Sequence, residues 1–230
     1  MMRPKLEKGF SLVEMAVVLV IMGLLLSAVL VPLSTQFDLR NYSDNNKAMN
    51  DIKDALVGFG MRNGYLPCPA VSYANGNEDR TLGVCNKRSG FIPWVTLGLP
   101  KLDSWGHLYG YSVTPAYSIA SPTIGLSTAT DILVRTRDTN GVLVDLSPTP
   151  AVIISFGRDG TFGYANDGVQ VANKSATNAD EQMNGAATTI FISRDRALSS
   201  GAPGGEFDDA VTWISPYQYI EKQVSVGNLP

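Results

Sequence analysis

One ionisable side chain, Glu14, lies inside an otherwise apolar run that extends over residues 10–31. A carboxylate in a hydrocarbon layer costs at least a few kcal/mol, so such a charge persists where a partner or a function supports it. The chemistry open to this residue is charge pairing, because a partner of opposite sign would remove two unpaired charges from an apolar environment together. Glu14 is therefore the first candidate functional residue.

The run that surrounds Glu14 is long enough to cross a membrane as a helix. At ~1.5 Å per residue, residues 10–31 match a hydrocarbon core of roughly 30 Å. Three basic residues precede the run: Arg3, Lys5 and Lys8. Their position predicts that the N-terminus stays on the cytoplasmic side of the membrane.

Three interpretations of this segment differ in what they explain. A cleaved secretory signal would have a shorter apolar core that ends at small residues. Here the apolar run continues past the small residues Ser27 and Ala28, which disfavours cleavage at that point. An uncleaved signal anchor explains the length of the run but gives no role to Glu14.

The third interpretation gives Glu14 a role. The run begins with Gly9-Phe10-Ser11-Leu12-Val13-Glu14, which resembles the cleavage and N-methylation signature of type IV pilins and type II secretion pseudopilins. The resemblance implies a leader of residues 1–9, which a prepilin peptidase removes after Gly9 before it methylates the new N-terminal residue, Phe10. It also implies that Glu14 meets the N-terminal amine of a neighbouring subunit in a filament.

An amphipathic pattern continues the helix beyond the apolar run. Apolar residues recur there at intervals of three and four: Met49, Ile52, Leu56 and Phe59. Asn63-Gly64 predicts the end of the helix, because both residue types tolerate the left-handed conformation of a C-terminal cap. We therefore expect a transmembrane or filament-core helix over residues 10–31 and an amphipathic spine helix over residues 32–63.

The remaining residues, 64–230, are predicted to form one β-rich globular head. Strand patterns cover the segments 108–113, 132–137, 142–146, 151–156, 188–193 and 211–220. The polar stretch 166–185 predicts a long exposed loop. Successive strands without helices between them favour a mainly antiparallel β-sheet packed on the long N-terminal helix, an α+β fold that the resemblance describes as pilin-like.

The two cysteines of the chain, Cys68 and Cys85, fall between the helix and the first of these strands. An even count in a chain exported to an oxidising compartment predicts a disulfide between them, with two free thiols as the alternative. A redox-active pair is disfavoured, because the spacing is not Cys-x-x-Cys and no base lies nearby in the sequence.

Three segments of the head resemble motifs of the major pseudopilins. They are Asp103-Ser104-Trp105-Gly106 with Tyr109 and Tyr111, Ser155-Phe156-Gly157-Arg158-Asp159-Gly160, and Asp208-Asp209-Ala210-Val211-Thr212-Trp213. Major pseudopilins bind Ca²⁺ in the loop that the two acidic motifs bound, so the resemblance implies Ca²⁺ with Asp159, Asp208 and Asp209 as ligands. The alternative is that these aspartates only stabilise turns. The chain departs from the family in its cysteine segment and in a long insertion between Asp159 and Asp208.

Charge and composition disfavour two other classes of function. The formal net charge is −3 and the basic residues are scattered, so binding of nucleic acid is not expected. The chain has one histidine, His107, and no nucleophile elbow or phosphate-binding loop. An enzyme is therefore not expected, and a membrane-anchored periplasmic enzyme that uses carboxylates alone is a remote alternative.

These observations favour a structural subunit of a type IV pilus-like or type II secretion pseudopilus filament, assembled by packing of N-terminal helices. The implied partners are the prepilin peptidase, other pilin or pseudopilin subunits and the inner-membrane assembly machinery. The chain would cross the bacterial inner membrane once, with its head in the periplasm, before it enters an extracytoplasmic filament. The alternative is a minor or tip pilin that acts as an adhesin or binding module through loops 71–89 and 166–205.

Overall fold

The computed structural model describes Gly9 and residues 11–120, 124–173, 175–186 and 188–229, without the side chains of residues 27–35. Phe10 and the predicted leader, apart from Gly9, lie outside the described residues. The chain divides into two units, the first ending at Ser43 and the second beginning at Asp44.

A long helix, α1 (Leu12–Asn63), begins the described chain. It ends where the sequence predicts, since Gly64 adopts a positive φ of 80° and its N–H donates to the Gly60 carbonyl at 2.7 Å. Glycine suits this position because it adopts the left-handed conformation without a steric penalty.

The first unit presents apolar side chains outward. The large apolar residues from Leu12 to Leu26 are between 45% and 87% exposed. Across the described residues, none of the helices is both long and apolar enough to cross a membrane. Part of the expected span 10–31 lies outside that description, namely Phe10 and the side chains of residues 27–31.

The second unit combines short strands and short helices. The strands are β1 (Arg80–Thr81), β2 (Val84–Cys85), β3 (Ser89–Phe91), β4 (Gly110–Val113), β5 (Ile132–Arg137), β6 (Leu143–Thr149), β7 (Ala151–Ser155), β8 (Ile190–Ile192) and β9 (Ala210–Trp213). The helices that follow α1 are α2 (Trp94–Leu97), α3 (Pro115–Ser118), α4 (Ala179–Gly185) and α5 (Pro216–Ser225).

The strands form a four-stranded sheet in the order β3-β4-β7-β9 and a three-stranded sheet in the order β6-β5-β8, besides the small pair β1-β2. All pairs are antiparallel except β5 with β8, which is parallel. The predicted α+β class with a mainly antiparallel arrangement is therefore confirmed.

The two faces of the four-stranded sheet bury different partners. On one face, Tyr111 and Ile153 belong to a buried apolar cluster with Met49, Ile52 and Leu56, which lie on the part of α1 in the second unit. The other face contributes to a second cluster, which joins Val152 and Ile154 to Ile132, Val134 and Phe191 of the three-stranded sheet. The second unit is therefore layered, with the helix, the larger sheet and the smaller sheet in that order.

Two predicted segments are wrong in part. The strand expected over 211–220 ends at Trp213, and α5 begins at Pro216, because proline suits the first turn of a helix. The expected loop 166–185 contains α4, which buries Asp180, Glu181 and Asn184. A helix forms there because these polar side chains find partners inside the protein.

The predicted disulfide joins Cys68 to Cys85, with an S–S distance of 2.04 Å across 17 residues. The enclosed loop is also held by Glu78, which accepts a hydrogen bond from the Cys68 N–H at 3.0 Å and pairs with Arg80 at 3.1 Å. The segment is therefore fixed by both covalent and polar contacts.

Removal of both cysteines by Cys68→Ser with Cys85→Ser should lower the free energy of unfolding by ~3 kcal/mol, because the cross-link restricts the unfolded chain. Chemical denaturation of the double variant and of the oxidised wild-type protein measures this difference. Equal unfolding midpoints would mean that the polar contacts around Glu78 hold the loop without the cross-link.

Candidate functional site

The beginning of α1 holds the residues that the sequence assigns to processing and assembly. Gly9 is exposed, and a Cβ atom added there would meet no atom of the other described residues within 4 Å. The Ser11 backbone N–H donates to Glu14 Oε2 at 2.9 Å, and the Glu14 N–H donates to the Ser11 hydroxyl at 3.2 Å. This reciprocal pair is a capping box, which satisfies two donors that the start of a helix leaves free.

The cap gives Glu14 a local role in addition to the intermolecular one that the sequence implies. The side chain of Glu14 is exposed, and the cap engages one of its carboxylate oxygens, Oε2. A carboxylate has two oxygens that accept hydrogen bonds, so the geometry is compatible with a further partner.

A cluster of three carboxylates lies in the second unit. Asp159, Glu181 and Asp208 each offer an oxygen, and these atoms lie within 4.8 Å of one another. Asp159 lies in the turn after β7, Glu181 in the first turn of α4, and Asp208 just before β9. Oxygen atoms of carboxylates are the ligands that Ca²⁺ prefers, and a cation at this point would neutralise part of the gathered charge.

Backbone hydrogen bonds orient the cluster. Asp208 Oδ2 accepts from the N–H groups of Arg158 at 2.9 Å and Asp159 at 3.2 Å. Glu181 Oε1 accepts from the Asp208 N–H at 2.9 Å, and its Oε2 accepts from the Asn178 amide at 2.8 Å. The three segments are therefore tied together by contacts that leave the carboxylates facing one another.

Gly157 permits this close approach. Its φ is +64°, and a Cβ atom at this position would collide with the carboxylate of Asp208. The glycine of the Ser-Phe-Gly-Arg-Asp-Gly segment is thus required by two features at once, its left-handed backbone and the nearby acid.

The structure places Asp209 differently from the other two predicted ligands. Asp209 is buried, and its Oδ2 accepts from the Asn184 amide at 2.7 Å. It is not one of the three clustered carboxylates, whereas Glu181 is. Asp208 Oδ1 and Asp209 Oδ1 are buried and accept no hydrogen bond from the described residues.

Burial and neighbouring negative charge raise the pKa of three carboxyl groups here, those of Asp208, Glu181 and Asp209. Burial, followed by the charge of Asp159, raises the pKa of Asp208 to about 6. Burial raises the pKa of Glu181 to about 7, and the charges of Asp159 and Asp208 add to this. Burial, together with the charges of Glu181, Asp208 and Asp159, holds the pKa of Asp209 well above its usual range. Such shifts mean that the ionised cluster is unfavourable in the absence of a cation.

Glu181 is the residue of the cluster that the sequence analysis missed. It lies in α4, inside the segment expected to be a loop. The signal was the acidic pair Asp180-Glu181 at the start of a short stretch rich in helix-forming residues, since acidic side chains favour the first turn of a helix.

One further group of polar residues resembles a catalytic arrangement in composition but not in geometry. The Ser155 hydroxyl donates to Asp103 Oδ2 at 2.7 Å, and His107 Nδ1 lies 3.2 Å from the Gly157 carbonyl. The serine therefore bonds the carboxylate rather than the imidazole, and the three side chains do not form a nucleophile with its base. They fix the turn between Asp103 and β4.

Comparison with known protein families gives one match. The family model described as the prokaryotic N-terminal methylation motif matches residues 4–30. The chain thus carries the signature of type IV pilins and pseudopilins at its N-terminus. No curated protein matches the chain, and no solved structure matches it either.

Proposed function

We propose that the protein is a structural subunit of a type IV pilus-like or type II secretion pseudopilus filament. The single observation that carries this proposal is the methylation motif over residues 4–30, which encloses Gly9 and Glu14. The motif favours a structural protein over an enzyme, and it implies assembly with other pilin subunits.

The described part of the first unit supports assembly through α1. Its apolar side chains from Leu12 to Leu26 are exposed on all sides of the helix. Exposing such a surface to water costs roughly 25 cal/mol per Å², so the segment needs a cover of lipid or of other apolar helices. A filament core of packed N-terminal helices would bury these side chains, and a head-to-tail contact that does not close would propagate the filament. Before assembly, the same segment would hold the chain in the inner membrane.

The second unit contributes a proposed metal site. We propose that Ca²⁺ binds between Asp159, Asp208 and Glu181, with Asp209 close behind them. The proposal is supported by the convergence of three carboxylates from segments distant in sequence, and by the two buried oxygens without a hydrogen-bond partner among the described residues. Water would complete the six to eight oxygen ligands that Ca²⁺ takes.

The experiment that tests the filament proposal begins with processing. In cells with an active prepilin peptidase, the mature protein should begin at Phe10 and carry an N-methyl group, which intact-mass analysis would detect. The variant Gly9→Val should keep its leader. A Cβ atom added at Gly9 meets no atom of the other described residues within 4 Å, so we expect the substitution to change the cleavage site and to leave the described fold intact.

The peptidase-deficient strain is the control, and there both proteins should keep the leader. Wild-type protein that retains Met1 in cells with active peptidase would contradict the proposal. Normal processing of Gly9→Val would also contradict it, since the cleavage would then not depend on the motif.

A further inference from the structure

A cavity of about 400 Å³ lies in the second unit beside the edge strand β3. Small-molecule sites in proteins span ~300–1,000 Å³, so this volume is large enough for a compact ligand. Its wall includes Ser72 and Ser89 from one predicted loop, and Gly168 and Asn184 from the other. The cavity is thus formed where the two predicted loops, 71–89 and 166–205, meet the sheet.

The strand register explains why a space exists here. Cross-strand partners share one face of a sheet. The register forms two rows on that face, Val152-Ser112-Ser89 and Ile154-Gly110-Phe91. Val152 and Ile154 are covered by residues of the three-stranded sheet. The first row continues with Ser112 and Ser89, and the second has Gly110 between Ile154 and Phe91, so these three small residues leave the cavity open.

Aromatic rings form much of the cavity wall, and close packing fixes their positions. The rings of Phe91 and Tyr164 meet edge to face, with centroids 5.2 Å apart at 82°. A Cβ atom at Gly168 would collide with the ring of Tyr73, so glycine allows that ring to lie against the backbone. A Cβ atom at Gly110 would lie 3.2 Å from the ring of Phe156.

Hydroxyl groups provide the polar part of the wall. Ser89 Oγ and Ser112 Oγ lie 2.8 Å apart, and a single hydrogen joins them. The second hydroxyl hydrogen and the remaining lone pairs of this pair are therefore available to a ligand. Ser72 Oγ accepts from two backbone N–H groups at 3.1 and 3.2 Å, which orients its own hydroxyl.

The kinds of side chain in the wall exclude several ligand classes. None of the described lining residues is charged, so the ligand should be neutral. Among the same described residues, Ile154 is the one with an aliphatic side chain, which disfavours an acyl chain as the ligand. The faces of aromatic rings carry a partial negative charge. They therefore attract the partially positive C–H hydrogens on the face of a pyranose ring. Serine hydroxyls match the hydroxyl groups on the edge of such a ring.

We propose that this cavity binds a neutral saccharide ring. This function is separate from filament assembly, because the residues that carry it lie in the second unit and the methylation motif lies in the first. The ring would stack on Tyr73 and its aromatic neighbours while its hydroxyls bond to Ser89 and Ser112.

Saturation-transfer NMR of the full-length chain tests the proposal, with the methyl glycosides of glucose, galactose and N-acetylglucosamine as probes at millimolar concentration. The chain should be held in a detergent without a sugar headgroup, since a maltoside would compete for the cavity. Glucuronic acid serves as the charged probe and phenylalanine amide as the aromatic one. At least one neutral glycoside should receive saturation, and glucuronic acid should receive none.

Two variants locate the binding. Tyr73→Ala should weaken it by about threefold to tenfold, the range expected for one aromatic contact. The matched control is Tyr217→Ala, because Tyr217 is 83% exposed, against 43% for Tyr73, and does not line the cavity. Ser89→Leu should fill the cavity and abolish binding. Thermal unfolding of each variant shows whether the fold is kept.

The proposal is overturned if no neutral glycoside receives saturation. Equal loss of signal in Tyr73→Ala and Tyr217→Ala would also overturn it, because binding would then lie outside the cavity. Stronger transfer to phenylalanine amide than to any glycoside would assign the cavity to aromatic side chains of a peptide instead.

Discussion

The variant Glu14→Ala is expected to be exported and folded but almost absent from filaments. If the N-terminal amine of one subunit meets Glu14 of the next, the alanine leaves that amine unpaired among packed apolar helices. Breaking a buried charge pair by removing one partner costs ~3–5 kcal/mol. A cost of this size corresponds to a loss of incorporation of roughly 100- to 4,000-fold at each contact.

Two further variants distinguish the effect of the Glu14 charge on assembly from the effect of the capping box at the start of α1. Glu14→Gln keeps a side-chain acceptor for the Ser11 N–H but removes the charge, whereas Ser11→Ala removes the cap hydroxyl and keeps the charge. Loss of a helix cap costs only ~1 kcal/mol. We therefore expect Glu14→Gln to fail almost as severely as Glu14→Ala, and Ser11→Ala to assemble at a moderately lower level.

The measurement is the ratio of sheared to cell-associated protein on immunoblots, with each variant expressed beside the wild type. Normal assembly of Glu14→Gln together with failure of Ser11→Ala would show that Glu14 acts through the helix cap rather than through a charge contact. That result would leave the filament proposal standing and remove the pairing role of Glu14.

Features that depend on a few neighbouring residues were predictable from the sequence. The end of α1 at Asn63 follows from an Asn-Gly pair, and β5 (Ile132–Arg137) has the bounds that its residue pattern predicts. The disulfide follows from the count of cysteines and the expected compartment. The first two features depend on local patterns. The disulfide joins distant residues, but with two cysteines in the chain only one intramolecular pairing exists.

Features that depend on distant partners were not predictable in the same way. Asp180 is fully buried in α4 because Arg137 and Arg194 pair with it at 2.6 and 2.7 Å, although Arg137 lies 43 residues away in the sequence. The acidic pair Asp180-Glu181 indicates the start of a helix, but no local pattern indicates that Asp180 is buried against two arginines. The same applies to Glu181, whose place in the cluster depends on the docking of α4.

The sequence also contained a start signal for the helix α5. Ser215-Pro216 is a favourable start for a helix, and Tyr219 and Gln223 are the buried residues that lie one turn apart on it. The apolar and aromatic residues of the segment 211–220 nevertheless favoured the prediction of a strand. The helix forms because those two side chains pack inward, and Tyr219 joins the cluster on α1.

Calcium should raise the melting temperature of the protein at neutral and higher pH, and chelator should lower it, because a ligand that binds only the folded state stabilises that state. Asp208→Asn should abolish this response. Asparagine can keep the hydrogen bonds that Asp208 Oδ2 accepts, and its amide would replace Oδ1, which has no partner among the described residues. The matched control is Asp145→Asn, since Asp145 forms an exposed pair with Arg135 that contributes little.

The pH dependence of stability distinguishes a calcium site from aspartates that only stabilise a turn. The pKa of Asp208 rises from 3.8 to about 6 on folding, and that of Glu181 rises from 4.5 to about 7. Between about pH 4 and pH 7 these two groups therefore bind more protons in the folded chain than in the unfolded chain, so their contribution to the stability of metal-free protein falls as the pH rises through this window. Above about pH 7, bound calcium should restore the stability that the metal-free protein has lost. Below about pH 4, where the acids are protonated, calcium should have little effect.

The difference in stability between wild type and Asp208→Asn reports on the carboxylate cluster, because all other titrating groups are the same in the two proteins. Without metal, Asp208→Asn should be the more stable protein at neutral pH, because it carries one negative charge fewer in the cluster. With calcium the order should reverse, because the wild type gains a bound ion and the variant does not. Differential scanning calorimetry at about pH 4 and about pH 8, with calcium or with chelator, measures both differences. Superimposable curves for wild type with and without calcium at the higher pH would leave Asp159 and Asp208 as turn-forming residues, because a site that binds no ion cannot shift the unfolding equilibrium.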